Sequence, residues 1–192
     1  KIPWNVIQRR NIAYLLALKE GADIIATIDD DNIPFSNWGE DIKVGQWVTN
    51  RSISDTLVCD PLYEHSNAVT TKLWHRGFPV QLLEKRKYRK EKQETAYVDV
   101  QACLWNGDPD VDAVCRLSGG PFDVEFSNTS FFIDNNTFAP FNTQNTLMSR
   151  RATACMCLPF DIGRMDDIWA SYMTQRVLRE FDGSVLFTGP TV

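Results

Sequence analysis

No run of about 18 apolar residues occurs in the chain, which excludes a membrane-crossing helix within it. Basic residues do not predominate either: 20 Lys and Arg against 25 Asp and Glu give a formal net charge of −5. Such a surface is not built to neutralise a long phosphate backbone, so nucleic acid is excluded as a partner. With 2 His, a His-rich metal cluster cannot form. The 5 Cys (Cys59, Cys103, Cys115, Cys155 and Cys157) are odd in number and show no CxxC spacing, which argues against a disulfide framework or a zinc ribbon. They are read as core thiols. There is no internal repeat, no low-complexity tract and no signal-peptide pattern.

What is present suits a packed core: 43% hydrophobic residues, including 6 Trp, 5 Tyr and 11 Phe. At roughly 150 residues per domain, residues 1–192 are expected to form one domain. Because the chain opens with Lys close to a helical pattern and stops after an apolar stretch, it is expected to be a segment of a longer protein.

The pattern alternates helices and strands. Residues 5–20 carry Ile12, Leu15, Leu16 and Leu18 at helical spacing, with Gly21 as the stop. Residues 23–28 read as a buried strand ending in a polar loop. Further strands are expected at 57–59, 80–83, 97–104, 131–133, 146–148 and 184–188, and a helix from Asp108-Pro109 to Leu117 with Asp108 as its cap. A last long helix spans 166–181, with a stripe of Trp169, Tyr172, Met173, Val177 and Phe181 and Gly183 past its end. The charged run 85–94 reads as a solvated connection or helix face. The fold class is α/β, a mixed sheet flanked by helices.

The strongest chemical signal is Asp29-Asp30-Asp31 at the end of the first strand. Three adjacent like charges where an apolar strand meets solvent need a cation or a hydrogen-bond cluster to offset their repulsion. Alternation puts Asp29 and Asp31 on one side, a pair able to hold a hard divalent cation that also grips phosphate oxygens. An acidic turn that caps a helix, together with Asn32 and Ser36, is the alternative. Asp166-Asp167 opens the last helix, where the helix dipole favours carboxylates and where one can also serve as a general base. Arg76 has the forked, permanent charge that stabilises a leaving diphosphate or closes a loop ion pair. Asn142, Gln144 and Asn145 form an amide-rich loop suited to sugar hydroxyls or to loop backbone.

Arg9-Arg10-Asn11 at the start of the first helix, Gly21-Ala22 and the Asp-x-Asp loop together resemble the donor-binding run of nucleotide-sugar glycosyltransferases with the GT-A fold. The likeness extends in order through residues 2–3 (IP), 9–15 (RRNIAYL), 21–22 (GA), 29–32 (DDDN), 73–79 (LWHRGFP), 106–113 (NGDPDVDA), 142–146 (NTQNT), 166–169 (DDIW) and 186–192 (LFTGPTV). This series is similar to the STELLO family of glycosyltransferase-like proteins, with a weaker likeness to the reversibly glycosylated polypeptides, which are nucleotide-sugar mutases.

The resemblance implies a GT-A-like domain that lacks the first nucleotide-binding strand and moves a sugar from a nucleoside-diphosphate donor, a UDP-sugar foremost, to a hydroxyl of a glycan or protein. It implies Mn2+ or Mg2+ held by Asp29 and Asp31, Asp30 near the ribose or sugar, and Arg10, Asn11 and Arg76 toward the donor. Asp167, ahead of Asp166, would be the catalytic base. Plant members are anchored in Golgi membranes beside cellulose synthase, which implies a second reading, a catalytically silent scaffold for a glycan synthase; the weaker likeness implies a third, a mutase. His75 stands where the plant pattern has Pro.

Overall fold

The computed structural model describes residues 2–54, 57–65 and 72–192. Six strands form one mixed sheet: β1 (Ile24–Ile28), β2 (Trp47–Ser54), β3 (Lys90–Cys103), β4 (Phe131–Ile133), β5 (Asn145–Ser149) and β6 (Gly183–Thr188). The helices are α1 (Arg10–Lys19), α2 (Pro61–Glu64), α3 (Ala113–Gly119), α4 (Arg150–Cys155) and α5 (Asp166–Leu178). The fold is α/β with helices flanking a mixed sheet, as the alternating pattern implies.

β3 is long enough to serve three neighbours. Its first half pairs antiparallel with β2, and its second half pairs antiparallel with β5 and parallel with β6. β4 lies between β2 and β6, so β3, β2, β4 and β6 close on one another. The bend in β3 sits at Asp99, where the β6 register shifts between Val98 and Val100. This is a β-bulge, and it turns Val98 and Val100 toward opposite cores. One face of the sheet packs Val100, Phe131, Met148 and Phe187 beneath α1, α4 and α5; the other packs Val98, Phe132, Leu147 and Leu186 beneath Val44 and Ile42.

Several expectations are corrected. β1 forms and ends at Ile28, but it is an edge strand with only Thr27 buried, because β5 alone pairs with it. α1 forms and stops at Gly21 (φ 86°), yet Leu15 and Leu16 face outward and Tyr14 is the residue it buries. On α5, Trp169, Met173 and Val177 are also exposed, as is Phe181 in the turn after it, while Ile168, Ala170 and Leu178 with Ser171, Thr174 and Gln175 are buried. The apolar stripe therefore does not mark the packed face.

Asp182, left-handed at φ 51°, ends the 3-10 turn that follows α5, and Gly183 already belongs to β6. Residues 80–83 lie in a 3-10 helix, not a strand, since Pro79 and the charged run give no alternating pattern. Residues 57–59 contribute one isolated bridge, Val58 to Phe138. α3 starts later than expected: its cap is Asp112, which accepts from Cys115 N at 2.8 Å, while Asp108 pairs with Arg116. Within the charged run Arg86 is buried on Asp60, at 2.8 Å, and Lys90 opens β3. Cys59, Cys103 and Cys115 are buried as expected, Cys155 is half-buried and Cys157 is exposed.

Candidate donor site at the end of the first strand

The antiparallel pairing of β1 with β5 sets Ile28 opposite Asn145, so the acidic triplet and the amide-rich loop emerge at the same end of the sheet. Asp29 N donates to Gln144 O at 3.0 Å. Asn32 and Gln144 then lock the acidic turn: Asn32 Nδ2 donates to Gln144 O and Gln144 Nε2 donates to Asn32 Oδ1, both at 3.1 Å. Asp29 is half-buried, and Asp30 and Asp31 are exposed with carboxylates that no described residue engages.

Arg10, the first residue of α1, reaches across to this turn. Its Nη2 pairs with Asp29 Oδ1, and its Nη1 donates to Thr143 Oγ1 and, at 3.2 Å, to Thr143 O. Tyr14 lies one turn further along the same helix face. Its hydroxyl is buried, has no hydrogen-bond partner among the described residues, and feels Arg10, Asp167 and Asp29. Burial, reinforced by the two carboxylates against the pull of Arg10, pushes this phenol up to about 12. Asn11 is spent differently: its amide exchanges two hydrogen bonds, each 2.9 Å, with the backbone of Leu158 and so ties α1 to the segment after α4.

Thr143 joins this turn to a second charge cluster. Thr143 N donates to Asp167 Oδ2 at 3.3 Å, and Ile168 N donates to Asp167 Oδ1 at 2.9 Å at the start of α5. Arg76 sits between two carboxylates. It forks onto Asp110 (Nε to Oδ1 2.7 Å, Nη2 to Oδ2 2.8 Å) and contacts Asp167 at 3.1 and 3.3 Å. Burial alone would disfavour the guanidinium charge, but the two carboxylates outweigh it and raise the group further. Asp110 answers in kind: burial is outweighed by Arg76, by His75 and by Asn142 Nδ2 at 2.7 Å, which together hold its carboxyl below the usual range.

Gly77 makes this approach feasible, since a Cβ there would sit 2.3 Å from Ile168 Cγ2 and its φ is 92°. Asp166 accepts from Gln8 Nε2 at 3.1 Å and from Asp167 N at 3.0 Å.

Arg10, Asp29, Arg76 and Asp167 are thus brought together through Thr143, with Asp30 and Asp31 at the rim. The amides of Asn142, Gln144 and Asn145 serve the protein itself; Asn145, for instance, donates to Leu104 O at 2.9 Å and to Thr191 Oγ1 at 2.8 Å. Three members escape sequence reasoning: Tyr14, Thr143 and Asp110. Thr143 lies inside the amide loop and Asp110 inside an acidic tripeptide-spaced run, but nothing in the chain says they face one another. Among the described residues no three His, Cys, Asp or Glu side chains converge, and no helix is long and apolar enough to cross a membrane.

No protein-family model matches the chain. Among curated proteins it is 26% identical, over 100% of its length, to the protein named probable glycosyltransferase STELLO2 of Arabidopsis thaliana, and 26% identical, over 99%, to probable glycosyltransferase STELLO1 of the same plant. It spans 27% of the length of each. These alignments cover every element of the fold and the whole Arg10 to Asp167 cluster: in sequence, from end to end, the chain is STELLO-like.

Proposed function

We propose that the chain is the donor-binding part of a glycosyltransferase that moves a sugar from a nucleoside-diphosphate sugar to a hydroxyl acceptor on a glycan or protein. The observation that carries this reading is the turn after β1, where Arg10 engages both Asp29 and Thr143 while, among the described residues, none engages the carboxylates of Asp30 and Asp31 or bonds the buried Tyr14 hydroxyl. The likeness to two proteins named as probable glycosyltransferases supports it.

The residues fit a hard divalent cation, Mn2+ or Mg2+. Such an ion keeps one or two protein carboxylates and completes its shell from phosphate and water oxygens, so Asp31 and the second oxygen of Asp29 suffice without a three-residue cage. Bound there, the cation would neutralise charge on the leaving diphosphate. Arg10 adds a fixed cation at the same turn, and Asp30 offers an acceptor to ribose or sugar hydroxyls. Asn11 contributes by fixing the pitch of α1 through Leu158.

Asp167 is bonded on both oxygens to Arg76 and to backbone N–H groups. Its part in this reading is to position Arg76 and Thr143, and action as the base requires Arg76 to swing toward the diphosphate first. Asp166, held by Gln8 and the helix N-terminus, supports the same corner.

Calorimetric titration of the chain with a panel of nucleotide sugars, with and without Mn2+, tests the proposal. Metal-dependent binding is expected, weakened at least about tenfold, or ~1.4 kcal/mol, in both Asp29→Ala and Asp31→Ala. Absence of binding to every donor by the folded full-length protein would instead favour a silent scaffold for a glycan synthase. Donor conversion without acceptor would favour a mutase.

A further inference from the structure

At the other end of β1 the structure carries a second concave surface, a groove of about 1130 Å³ lined by residues that include Trp47, Tyr97, Arg151, Asp23 and Asp182. Asp23 precedes β1 and Asp29 follows it, so at ~3.3 Å per residue the groove lies about 20 Å from the acidic turn. We infer that this groove is a binding site for a neutral oligosaccharide, separate from the donor site.

The groove is a built surface with a rigid floor. Asp99, the bulge residue of β3, is fully buried and accepts from Ser149 Oγ at 2.7 Å and from Arg151 Nε and Nη2, each at 2.5 Å. Gly183 gives it room, because a Cβ there would fall 2.4 Å from Asp99 Oδ2. Arg151 is thereby fixed with its Cζ 5.0 Å from the centroid of the Tyr97 ring, and Tyr97 meets Trp47 edge-on at 5.8 Å across the β2–β3 pairing. The fork on Asp99 uses two of the five N–H donors of Arg151, and a third reaches Phe181 O at 3.4 Å.

Beside Tyr97, Trp47 is 70% exposed, its indole in a T-shaped contact with the phenol ring. The carboxylates of Asp23 and Asp182 are exposed and accept no hydrogen bond from the described residues.

This is the complement a pyranose requires. Its C–H face packs on an aromatic plane, and its hydroxyls need donors and acceptors around the rim. Arg150 and Arg151 supply donors, Asp23 and Asp182 supply acceptors, and with Asp99 the lining carries one more negative than positive charge. That balance disfavours a polyanion. The volume exceeds the ~300–1,000 Å³ typical of pockets for one small ligand, which suits a chain of several sugar units.

Ligand-observed NMR and calorimetry on the 192-residue chain, with neutral hexasaccharides of glucose, mannose, xylose and N-acetylglucosamine as probes, decide the matter. A sulfated hexasaccharide and an apolar decapeptide serve as comparators. At least one neutral probe is expected to bind, with affinity lowered tenfold or more in Trp47→Ala and several-fold in Asp182→Ala. Both positions are exposed, and a retained cooperative thermal transition confirms that the variants fold, with a small loss expected at the left-handed Asp182. Asp31→Ala is expected to retain that binding while losing the metal-dependent donor, which separates this site from the proposed donor site. Binding of no neutral probe, binding undiminished in Trp47→Ala, or binding of a comparator alone would overturn the inference.

Discussion

Arg76 shows how the worth of a charged side chain depends on what it leaves behind when removed. It neutralises two carboxylates at once, Asp110 and Asp167, with side-chain exposures of 15% for Arg76 and Asp110 and 6% for Asp167. Removing the shared cation strands both acids, at a cost of about 3–5 kcal/mol for a broken buried pair. Asp167→Asn preserves shape and leaves Arg76 forked on Asp110, so its cost is expected near the ~1–2 kcal/mol of lost hydrogen bonds. Urea unfolding of Arg76→Ala and Asp167→Asn should give that ranking. Equal costs would mean that the contact with Asp167, not the Asp110 fork, carries the energy.

At the scale of an element, the short helix α2 sets two opposed titrations side by side. Glu64, at its last position, is pushed up to about 7 from 4.5, mainly by burial, against the pull of Arg89 and Arg51. Arg89 Nε lies 2.9 Å from its Oε2, but that oxygen receives no hydrogen bond from the described residues. A carboxyl raised on folding binds its proton more tightly in the folded state. Ionised Glu64 therefore lowers stability above about pH 7, and the loss is relieved as pH falls toward 4.5.

His65, the next residue, is pushed down to about 4 from 6.5 by burial, although its ring nitrogens face the carbonyls of Pro61 and Thr129. Its contribution is present above pH 6.5 and lost as pH falls toward 4. Each shift corresponds to about 3 kcal/mol, so the two largely cancel across the shared window. Glu64→Gln removes one of them. The variant is expected to be more stable than its parent by up to ~3 kcal/mol near pH 8, with the gap closing near pH 4.5. Urea unfolding at three pH values measures it, and a pH-independent gap would refute the assignment.

Across the whole molecule, apolar side chains do not all report the core. α1 shows Leu15 at 67% exposure on its outer face, and the segment after α4 buries Leu158 fully, bracketed by Asn11. Leu158→Ala is expected to cost ~2–5 kcal/mol, the range for a cavity in a packed interior. Leu15→Gln should change stability by less than ~0.5 kcal/mol, as substitutions on an unpacked surface do. Denaturant midpoints of the two variants check this contrast.

The amino-acid sequence determined much by itself. Periodicity and punctuation placed α1, β1, β4, β5, α5 and β6 within a few residues, because each is a local pattern bounded by Gly, Pro or a polar cluster. The ordered motifs also named the family likeness that the whole-length comparison shows. Tertiary structure decided what local pattern cannot carry. Apolar spacing on α1 and α5 marks a helix face without saying what lies against it, so Leu15 and Trp169 read as core and stand exposed, while Tyr14 and Ile168 do the packing. Charge behaved likewise: Arg86 sits in a run that reads as solvated, and only the position of Asp60, distant in sequence, draws it inside. The candidate site is the clearest case. Asp29, Arg10 and Asp167 stand out as residues, but their convergence on Thr143, and the diversion of Arg76 onto Asp110, arise only when β1 pairs with β5 and α5 docks at its end. Hydrogen bonds spanning 19 to 133 residues leave no trace in any short window of sequence.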